Sequence, residues 1–361
     1  MQRPPLRAET LRRDRLLEWL TVKIHHRIVF VTADAGYGKT TLLADFARRS
    51  RLPTLWYRLD EDDRNWVSFV NYLVAAGRQI DPDFASATAG LLREMGTSGP
   101  SRGTIVETLL RDFQQLAPGA VLILDDYHLV DDVPDVRAVI RDLIARAPER
   151  LTLVFVTRRE PTIPVARLRA QGEVAELSTG DLRFDADETE RLFRESYGRP
   201  LEADVLADLS QRTEGWAASL QLVQSALRDR SASEVRTFIR GLSGAQGDLH
   251  DYLAEEVVGD LDETTQRFLM RISILETVEP ELASLAANTS IEDAGRLIQS
   301  IELLGLLTRR GESSDLLHRY HPLVRDFLAA RLRAAIGDSG IQELHRIVAR
   351  HVDGRDWRLA A

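Results

Sequence analysis

One segment constrains the fold more than any other: residues 27–43, "RIVFVTADAGYGKTTLL". It begins with an apolar run rich in β-branched and aromatic residues, which is typical of a buried strand. The loop that follows fits the P-loop pattern Ala33-x-x-x-x-Gly38-Lys39-Thr40, with Ala in the first small position, and a helical pattern comes next. This order of strand, glycine-rich loop and helix predicts an α/β domain built on a parallel sheet.

The loop offers the groups that a nucleotide phosphate requires. Gly36 and Gly38 allow successive backbone N–H groups to turn towards an anion, and the next helix adds its positive end. Lys39 would reach the β- and γ-phosphates, and the Thr40 hydroxyl would ligate Mg²⁺. Lys39 is also one of only two lysines among the 47 basic residues. The predicted nucleotide contacts are Ala35, Gly36, Tyr37, Gly38, Lys39, Thr40 and Thr41; a turn that only caps a helix is the alternative.

A second candidate site element is the pair of carboxylates in "AVLILDDYHLV". The apolar run predicts a buried strand, and Asp125 at its end would hold Mg²⁺ through a water. Asp126 would orient or deprotonate the attacking water. Two aspartates that only cap the next turn are the alternative. The predicted metal residues are therefore Thr40 and Asp125.

A polar tip also ends the strand pattern "LTLVFVTRREP". In ASCE-type P-loop ATPases, an extra strand between the two motif strands presents a polar sensor to the γ-phosphate, and Arg158 is the candidate here. Arg159 as the sensor, or both arginines as surface charges, remain open. His128 would titrate near neutrality, but packing beside the strand explains it equally. The catalytic candidates are Lys39, Asp125, Asp126 and Arg158.

The first half of the chain alternates short apolar runs with amphipathic stretches, the pattern of an α/β domain. Strands are predicted at 27–32, 54–59, 120–126, 151–157 and 174–178, and helices at 40–49, 66–79, 103–116 and 134–146. Residues 81–103 contain many small and helix-breaking residues, which favours an insertion or mobile loop there.

From about residue 185 the strand patterns disappear. "DADETERLFRESYG" predicts a capped helix, and further helices are predicted at 201–212, 216–229, 248–259, 262–273, 279–287 and 291–304. A hairpin and a long helix then complete a winged-helix-like unit in about 250–335. Gly215 and Trp216 indicate a helix start with a buried tryptophan. His321, before Pro322, is by itself a polar residue at a helix N-terminus.

Composition excludes several classes of function. The 361 residues allow two or three domains, and a net charge of −9 does not favour nucleic acid or anionic membranes as partners of the whole chain. The absence of cysteine excludes disulfides, thiolate metal sites and thiol catalysis. No apolar run has membrane-spanning length, and the N-terminus lacks a signal peptide's apolar core. A cytoplasmic protein is expected.

Six ordered blocks resemble one known family: "TADAGYGKTTLLADFA", "LWYRLDEDD", "LILDDYHLV", "FVTRREPTIPVARLRAQGEVAEL", "TEGWAASLQL" and "YHPLVRDFL". The chain is similar to the STAND ATPases, and within them to the large ATP-binding LuxR-type (maltose-activator-like) bacterial transcriptional regulators. The resemblance implies an α/β plus all-α fold: a five-stranded parallel P-loop sheet, then a helical arm domain and a winged-helix domain. The implied ranges are 1–182, 183–245 and 246–337, with 338–361 as the truncated start of a helical linker or repeat domain.

The resemblance also implies ligands and partners. Members of the family bind ADP in the resting state and ATP with Mg²⁺ in the active state, and the resemblance implies that His321 contacts the β-phosphate of ADP. Ala217 stands where the family often has Pro, so a direct nucleotide contact there is not implied. Relatives bind an inducer and DNA through C-terminal domains absent from this chain, and self-association is expected in the ATP state.

Function is therefore predicted as an ATP/ADP-dependent signal-transduction switch with slow hydrolysis. Moving a switch from mostly off to mostly on takes about 5.5 kcal/mol of differential affinity, which contacts to a γ-phosphate and Mg²⁺ would supply. The alternatives are a conventional P-loop ATPase or kinase with rapid turnover, and a scaffold that binds nucleotide without hydrolysing it.

Overall fold

The computed structural model describes residues 3–95, 99–115, 119–148, 150–227, 230–242, 250, 258–259, 261–303, 307–310 and 317–352. The chain divides into two compact units. The first comprises residues 1–33 and 37–182, and the second comprises residues 34–36 and 183–361. Three residues in the middle of the glycine-rich loop therefore belong to the second unit by their contacts.

A five-stranded parallel sheet forms the centre of the first unit. Its strands are β1 (Ile28–Thr32), β2 (Thr54–Arg58), β3 (Ala120–Asp125), β4 (Leu151–Thr157) and β5 (Val174–Leu177), in the spatial order β2-β3-β4-β1-β5. β3 and β4 are buried along their whole length, as expected for central strands that helices cover on both faces. β4 lies between β1 and β3, so the predicted extra strand between the two motif strands is confirmed.

The parallel registers bring the carboxyl ends of four strands to one edge. Thr32 lies opposite Thr157, and Arg58 lies opposite Asp125. The candidate residues that follow β1, β3 and β4 in sequence therefore converge at this edge. In α/β sheets of this kind ligands bind outside the carboxyl ends of the strands.

Within its described residues, the first unit contains the four predicted helices and four more that were not predicted. They are α1 (Asp14–Lys23), α2 (Lys39–Arg49), α3 (Trp66–Gly77), α4 (Ser86–Arg93), α5 (Arg102–Gln115), α6 (Pro134–Arg146), α7 (Ala166–Ala170) and α8 (Thr179–Leu182). The prediction of a loop over 81–103 is wrong for α4. Ala89 and Leu92 of α4 join the hydrophobic core, and Thr88 donates a 2.6 Å hydrogen bond to Asp112 of α5. This tertiary packing outweighs the small residues that suggested a loop.

In its described residues, the second unit consists of helices and one hairpin. Its helices are α9 (Ala186–Arg191), α10 (Ala203–Thr213), α11 (Ala217–Leu227), α12 (Ala232–Arg240), α13 (Glu263–Ile272), α14 (Pro280–Ala287), α15 (Ile291–Leu303) and α16 (Pro322–Val352). α12 was not predicted. Asp185 and Glu188 form a capping box at the start of α9, so the predicted capped helix is confirmed. The predicted helix at 248–259 lies mostly outside the described residues.

The hairpin consists of β6 (Leu307–Arg310) and β7 (Leu317–Tyr320), which pair antiparallel. It precedes α16, so the predicted sequence of hairpin and long helix is confirmed. α16 is interrupted at Gly337, whose φ of 69° is not helical. Within the part of the chain that the structure describes, no helix is long and apolar enough to cross a membrane.

Candidate nucleotide-binding site

The glycine-rich loop between β1 and α2 has the backbone that its sequence predicts. Gly36 has a φ of 77° and Gly38 a φ of 80°, a left-handed region that residues with a Cβ rarely adopt. Gly38 is the N-cap of α2, whose first residue is Lys39. The loop thus leads directly into the N-terminus of an 11-residue helix, where backbone N–H groups and the helix dipole favour an anion.

Lys39 is buried beside this loop, with 8% of its surface exposed. Its Nζ donates a 2.6 Å hydrogen bond to the backbone carbonyl of Ala33, the first residue of the motif. A buried ammonium group is costly unless anionic or strongly polar groups surround it. Its position at the loop therefore fits a phosphate ligand.

Thr40 and Asp125 meet although they are 85 positions apart in the chain. The Thr40 hydroxyl is 3.1 Å from Oδ1 and 3.2 Å from Oδ2 of Asp125. Burial, followed by the nearby charge of Asp126, raises the pKa of Asp125 to about 6. A cation at this carboxylate would lower the free energy of its ionised form, and hydroxyl and carboxylate oxygens are ligands that suit Mg²⁺. The residues fit a magnesium nucleotide.

Asp126 differs from its neighbour in environment. Its φ is 60°, and its Oδ2 accepts a 3.2 Å hydrogen bond from Nε of Arg58. Sequence reasoning missed this ion pair. The ion pair could have been predicted from the position of Arg58 at the end of β2, because neighbouring parallel strands end at the same edge of the sheet. We call Lys39, Thr40, Asp125 and Asp126 the strand-edge cluster.

His128 and the two arginines after β4 lie next to this cluster. Burial, and then the charge of Arg158, lower the pKa of His128 to about 4, so its imidazole is neutral at physiological pH and the prediction that it titrates near neutrality is wrong. Its Nδ1 is buried without a hydrogen-bond partner, while its backbone carbonyl accepts a 3.1 Å hydrogen bond from Arg159. The roles of Arg158 as a sensor and of His128 in catalysis stay predictions.

In the second unit, a tight turn after α10 holds another group of candidate residues. Glu214 and Gly215 both have left-handed backbones, with φ values of 45° and 71°. The Glu214 carboxylate accepts hydrogen bonds from Arg183, at 3.0 Å, and from Arg319. We call Thr213, Glu214, Gly215, Trp216 and His321 the turn cluster.

His321 joins this cluster through both ring nitrogens. Nε2 is 2.9 Å from the carbonyl oxygen of Thr213, and Nδ1 accepts a 3.2 Å hydrogen bond from the backbone N–H of Leu323. These partners assign the proton of the neutral ring to Nε2. Burial is the main cause that lowers the pKa of His321 to about 4. His321 thus caps α16, as the residues alone suggested, and its contact with a nucleotide stays a prediction.

Sequence reasoning missed the contacts between this turn and residues 34–36, which belong to the same unit. The indole Nε1 of Trp216 donates a 3.0 Å hydrogen bond to the carbonyl of Ala35. The backbone N–H of Ala218 donates a 2.9 Å hydrogen bond to the carbonyl of Gly36. The Trp216 and His321 rings also meet edge to face, with centroids 5.4 Å apart. The sequence had indicated only a buried tryptophan at a helix start.

Comparisons with known proteins agree with this architecture. Residues 254–339 match the family described as the MalT winged helix domain. The transcriptional regulators MalT of two Klebsiella pneumoniae strains are 30% identical over 97% of this chain. The chain spans 38% of the length of these relatives. A Walker-type ATPase of Pyrococcus abyssi shares the fold, with a TM-score of 0.61 at 10% identity, over 91% of this chain and 98% of that one.

Proposed function

We propose that this chain, which resembles the MalT regulators over 97% of its length and has a P-loop fold, is a STAND ATPase that acts as the ATP/ADP-dependent switch of a bacterial transcriptional regulator. ADP would occupy the resting state and ATP with Mg²⁺ the active state. The observation that carries the proposal is the Thr40–Asp125 contact at 3.1 Å beside the loop of Lys39. It joins the two motifs that P-loop proteins use for a magnesium nucleotide.

The members of the strand-edge cluster have different tasks in this proposal, and Thr40 and Asp125 share one. The loop amides and Lys39 bind the phosphates, while Thr40 and Asp125 would hold Mg²⁺, Asp125 through a water. Bound Mg²⁺ neutralises phosphate charge. Asp126 orients the water that attacks the γ-phosphate, and Arg158 would sense that phosphate.

The environment of Asp126 leaves it able to act on a water. One of its oxygens already accepts a hydrogen bond from Arg58 at 3.2 Å. A carboxylate that orients or deprotonates water must be within hydrogen-bond reach of it with a lone pair available. The pair with Arg58 involves Oδ2 only, so Oδ1 can accept a hydrogen bond from the water, and the slow rate in this proposal rests on the resemblance to the STAND family.

The transcriptional part of the proposal rests on the MalT relatives. Inducer and DNA would be bound by segments beyond this chain, and self-association would follow ATP binding. His321 would contact the diphosphate in the resting state. Because both ring nitrogens already have backbone partners, such a contact would replace the hydrogen bond between Nε2 and Thr213.

The test is to denature the purified protein and identify the released nucleotide by chromatography. We expect about one ADP per chain in the wild type and none after Lys39→Ala, because the buried ammonium binds the phosphates. Lys23→Ala is the matched control, since Lys23 is the only other lysine and lies at the end of α1. It should retain ADP.

Two results would contradict the switch. Protein that is purified empty and hydrolyses ATP rapidly would identify a conventional P-loop ATPase. Retained nucleotide with no hydrolysis, and no change in hydrolysis after Asp126→Ala, would identify a scaffold.

A further inference from the structure

The glycine-rich loop is held from outside by two hydrogen bonds to its carbonyl groups. Trp216 Nε1 donates to the carbonyl of Ala35 at 3.0 Å, and the N–H of Ala218 donates to the carbonyl of Gly36 at 2.9 Å. These are two successive peptide units of the loop that would bind phosphate. Their orientation therefore decides which way the loop amides point.

The planarity of the peptide group fixes the directions of the Gly36 and Tyr37 N–H groups. In a planar trans peptide the C=O of one residue and the N–H of the next point in opposite directions. With the Ala35 carbonyl fixed towards Trp216, the N–H of Gly36 points away from the indole. With the Gly36 carbonyl fixed towards Ala218, the N–H of Tyr37 points away from α11. Both amides are among the predicted phosphate contacts.

The turn that precedes Trp216 holds its indole N–H donor in a fixed position. Gly215 has a φ of 71°, and a Cβ there would lie 2.1 Å from the carbonyl oxygen of Phe184. The Phe184 N–H in turn donates a 2.9 Å hydrogen bond to the Gly215 carbonyl. Trp216 is 3% exposed and packs against His321. The indole therefore has little freedom to leave the Ala35 carbonyl.

We propose that Trp216 is a positioning residue for nucleotide binding: with the amide of Ala218 it orients the Gly36 and Tyr37 amides towards the β-phosphate. This inference rests on the proposed function, in which the loop binds a nucleoside diphosphate. Through the contact with His321, Trp216 also links the turn cluster to the loop. Its role is distinct from that of a tryptophan that only fills space.

The decisive variant is Trp216→Phe, which keeps an aromatic ring but removes the N–H donor. The matched control is Trp56→Phe in β2. Trp56 is equally buried, at 2% exposure, and its Nε1 has no hydrogen-bond partner. Both substitutions shrink a buried indole, but only the first removes a bond to the loop.

The measurement is equilibrium binding of ADP and of AMP, which lacks the β-phosphate, to the full chain. Loss of one hydrogen bond to the loop should weaken ADP binding about tenfold in Trp216→Phe. AMP binding should change little, so the preference for ADP over AMP falls by about the same factor. Trp56→Phe should keep the wild-type preference.

Other outcomes separate the two proposals. Unchanged ADP preference in a folded Trp216→Phe protein, or an equal loss for ADP and AMP, would overturn the positioning role and leave the switch intact. A wild-type protein that binds no ADP would overturn the proposed function itself. If Trp216→Phe does not fold, Ala218→Pro removes the other donor in the first turn of α11, where proline is tolerated. It should show the same selective loss.

Discussion

The strand-edge cluster buries an acid, Asp125, and the turn cluster buries a base, His321, and burial leaves the two side chains in different charge states near neutral pH. Burial raises the pKa of Asp125 to about 6 and lowers that of His321 to about 4. Near neutral pH Asp125 is therefore ionised in a site that disfavours charge. His321 is neutral, and both of its nitrogens have backbone partners.

This difference indicates different tasks. A buried carboxylate with a raised pKa gains from a cation, so the strand-edge cluster is suited to bind and release a charged ligand. The turn cluster is held by backbone geometry and hydrogen bonds within its own unit, so we expect it to fix the conformation of the glycine-rich loop. Three experiments would break or sharpen this distinction.

The largest effect is expected from Gly215→Ala. The added Cβ would lie 2.1 Å from the Phe184 carbonyl oxygen, in addition to the strain of a φ of 71°. The free energy of unfolding of the second unit should fall by about 4 kcal/mol or more, as for other substitutions that combine a clash with a strained backbone. Urea unfolding followed by circular dichroism measures this loss.

Gly198→Ala is the matched control for that substitution. Gly198 lies in the same unit with a φ of 64°, but nothing lies within 4 Å of its added Cβ. Its loss should be about 1 kcal/mol, from the strained φ alone. Equal losses in the two variants would mean that the turn is not rigid.

The second effect is a dependence of stability on pH through His321. Its pKa is about 4 in the folded protein and about 6.5 in the unfolded chain. The unfolded state therefore takes up a proton first as the pH falls. The stability contributed by the neutral ring is complete above pH 6.5 and is lost as the pH falls towards 4. The full loss is about 3 kcal/mol.

His321→Asn separates this titration from helix capping. Asparagine is a preferred N-cap and would still accept the N–H of Leu323, but it does not titrate. Melting temperatures between pH 7 and pH 4.5 should fall less steeply in this variant than in the wild type. Parallel curves would show that His321 is not neutral and buried in the native state.

The smallest effect tests the strand-edge cluster directly. Asp125→Asn should lower the affinity for ATP in the presence of Mg²⁺ about 10- to 100-fold, because Asp125 would hold the ion through a water. Without Mg²⁺, the variant and the wild type should bind ATP similarly. Asp112→Asn is the control, since Asp112 is also buried and accepts a 2.6 Å hydrogen bond from a threonine, but lies in α5. A Mg²⁺-independent loss would assign Asp125 a structural role only.

Sequence reasoning succeeded where local pattern and sheet geometry agree. The approach of Thr40 and Asp125 follows from two apolar strand patterns that end in polar residues, because parallel strands of one sheet end at the same edge. It failed at α4, where small residues suggested a loop. Burial of Ala89 and Leu92 against the core stabilises this helix. Its eight residues are too few to show a clear helical periodicity of apolar residues in the sequence.

By itself the sequence determined the order of strand, loop and helix, the glycines that the loop requires and the positions of Lys39 and Asp125. Only the tertiary structure decided that Trp216 donates to a loop carbonyl 181 positions away and that His321 bonds to a carbonyl 108 positions away. The physical reason is that both acceptors are backbone carbonyls. Every residue has one, so the sequence contains no signal for which carbonyl a distant side chain will reach.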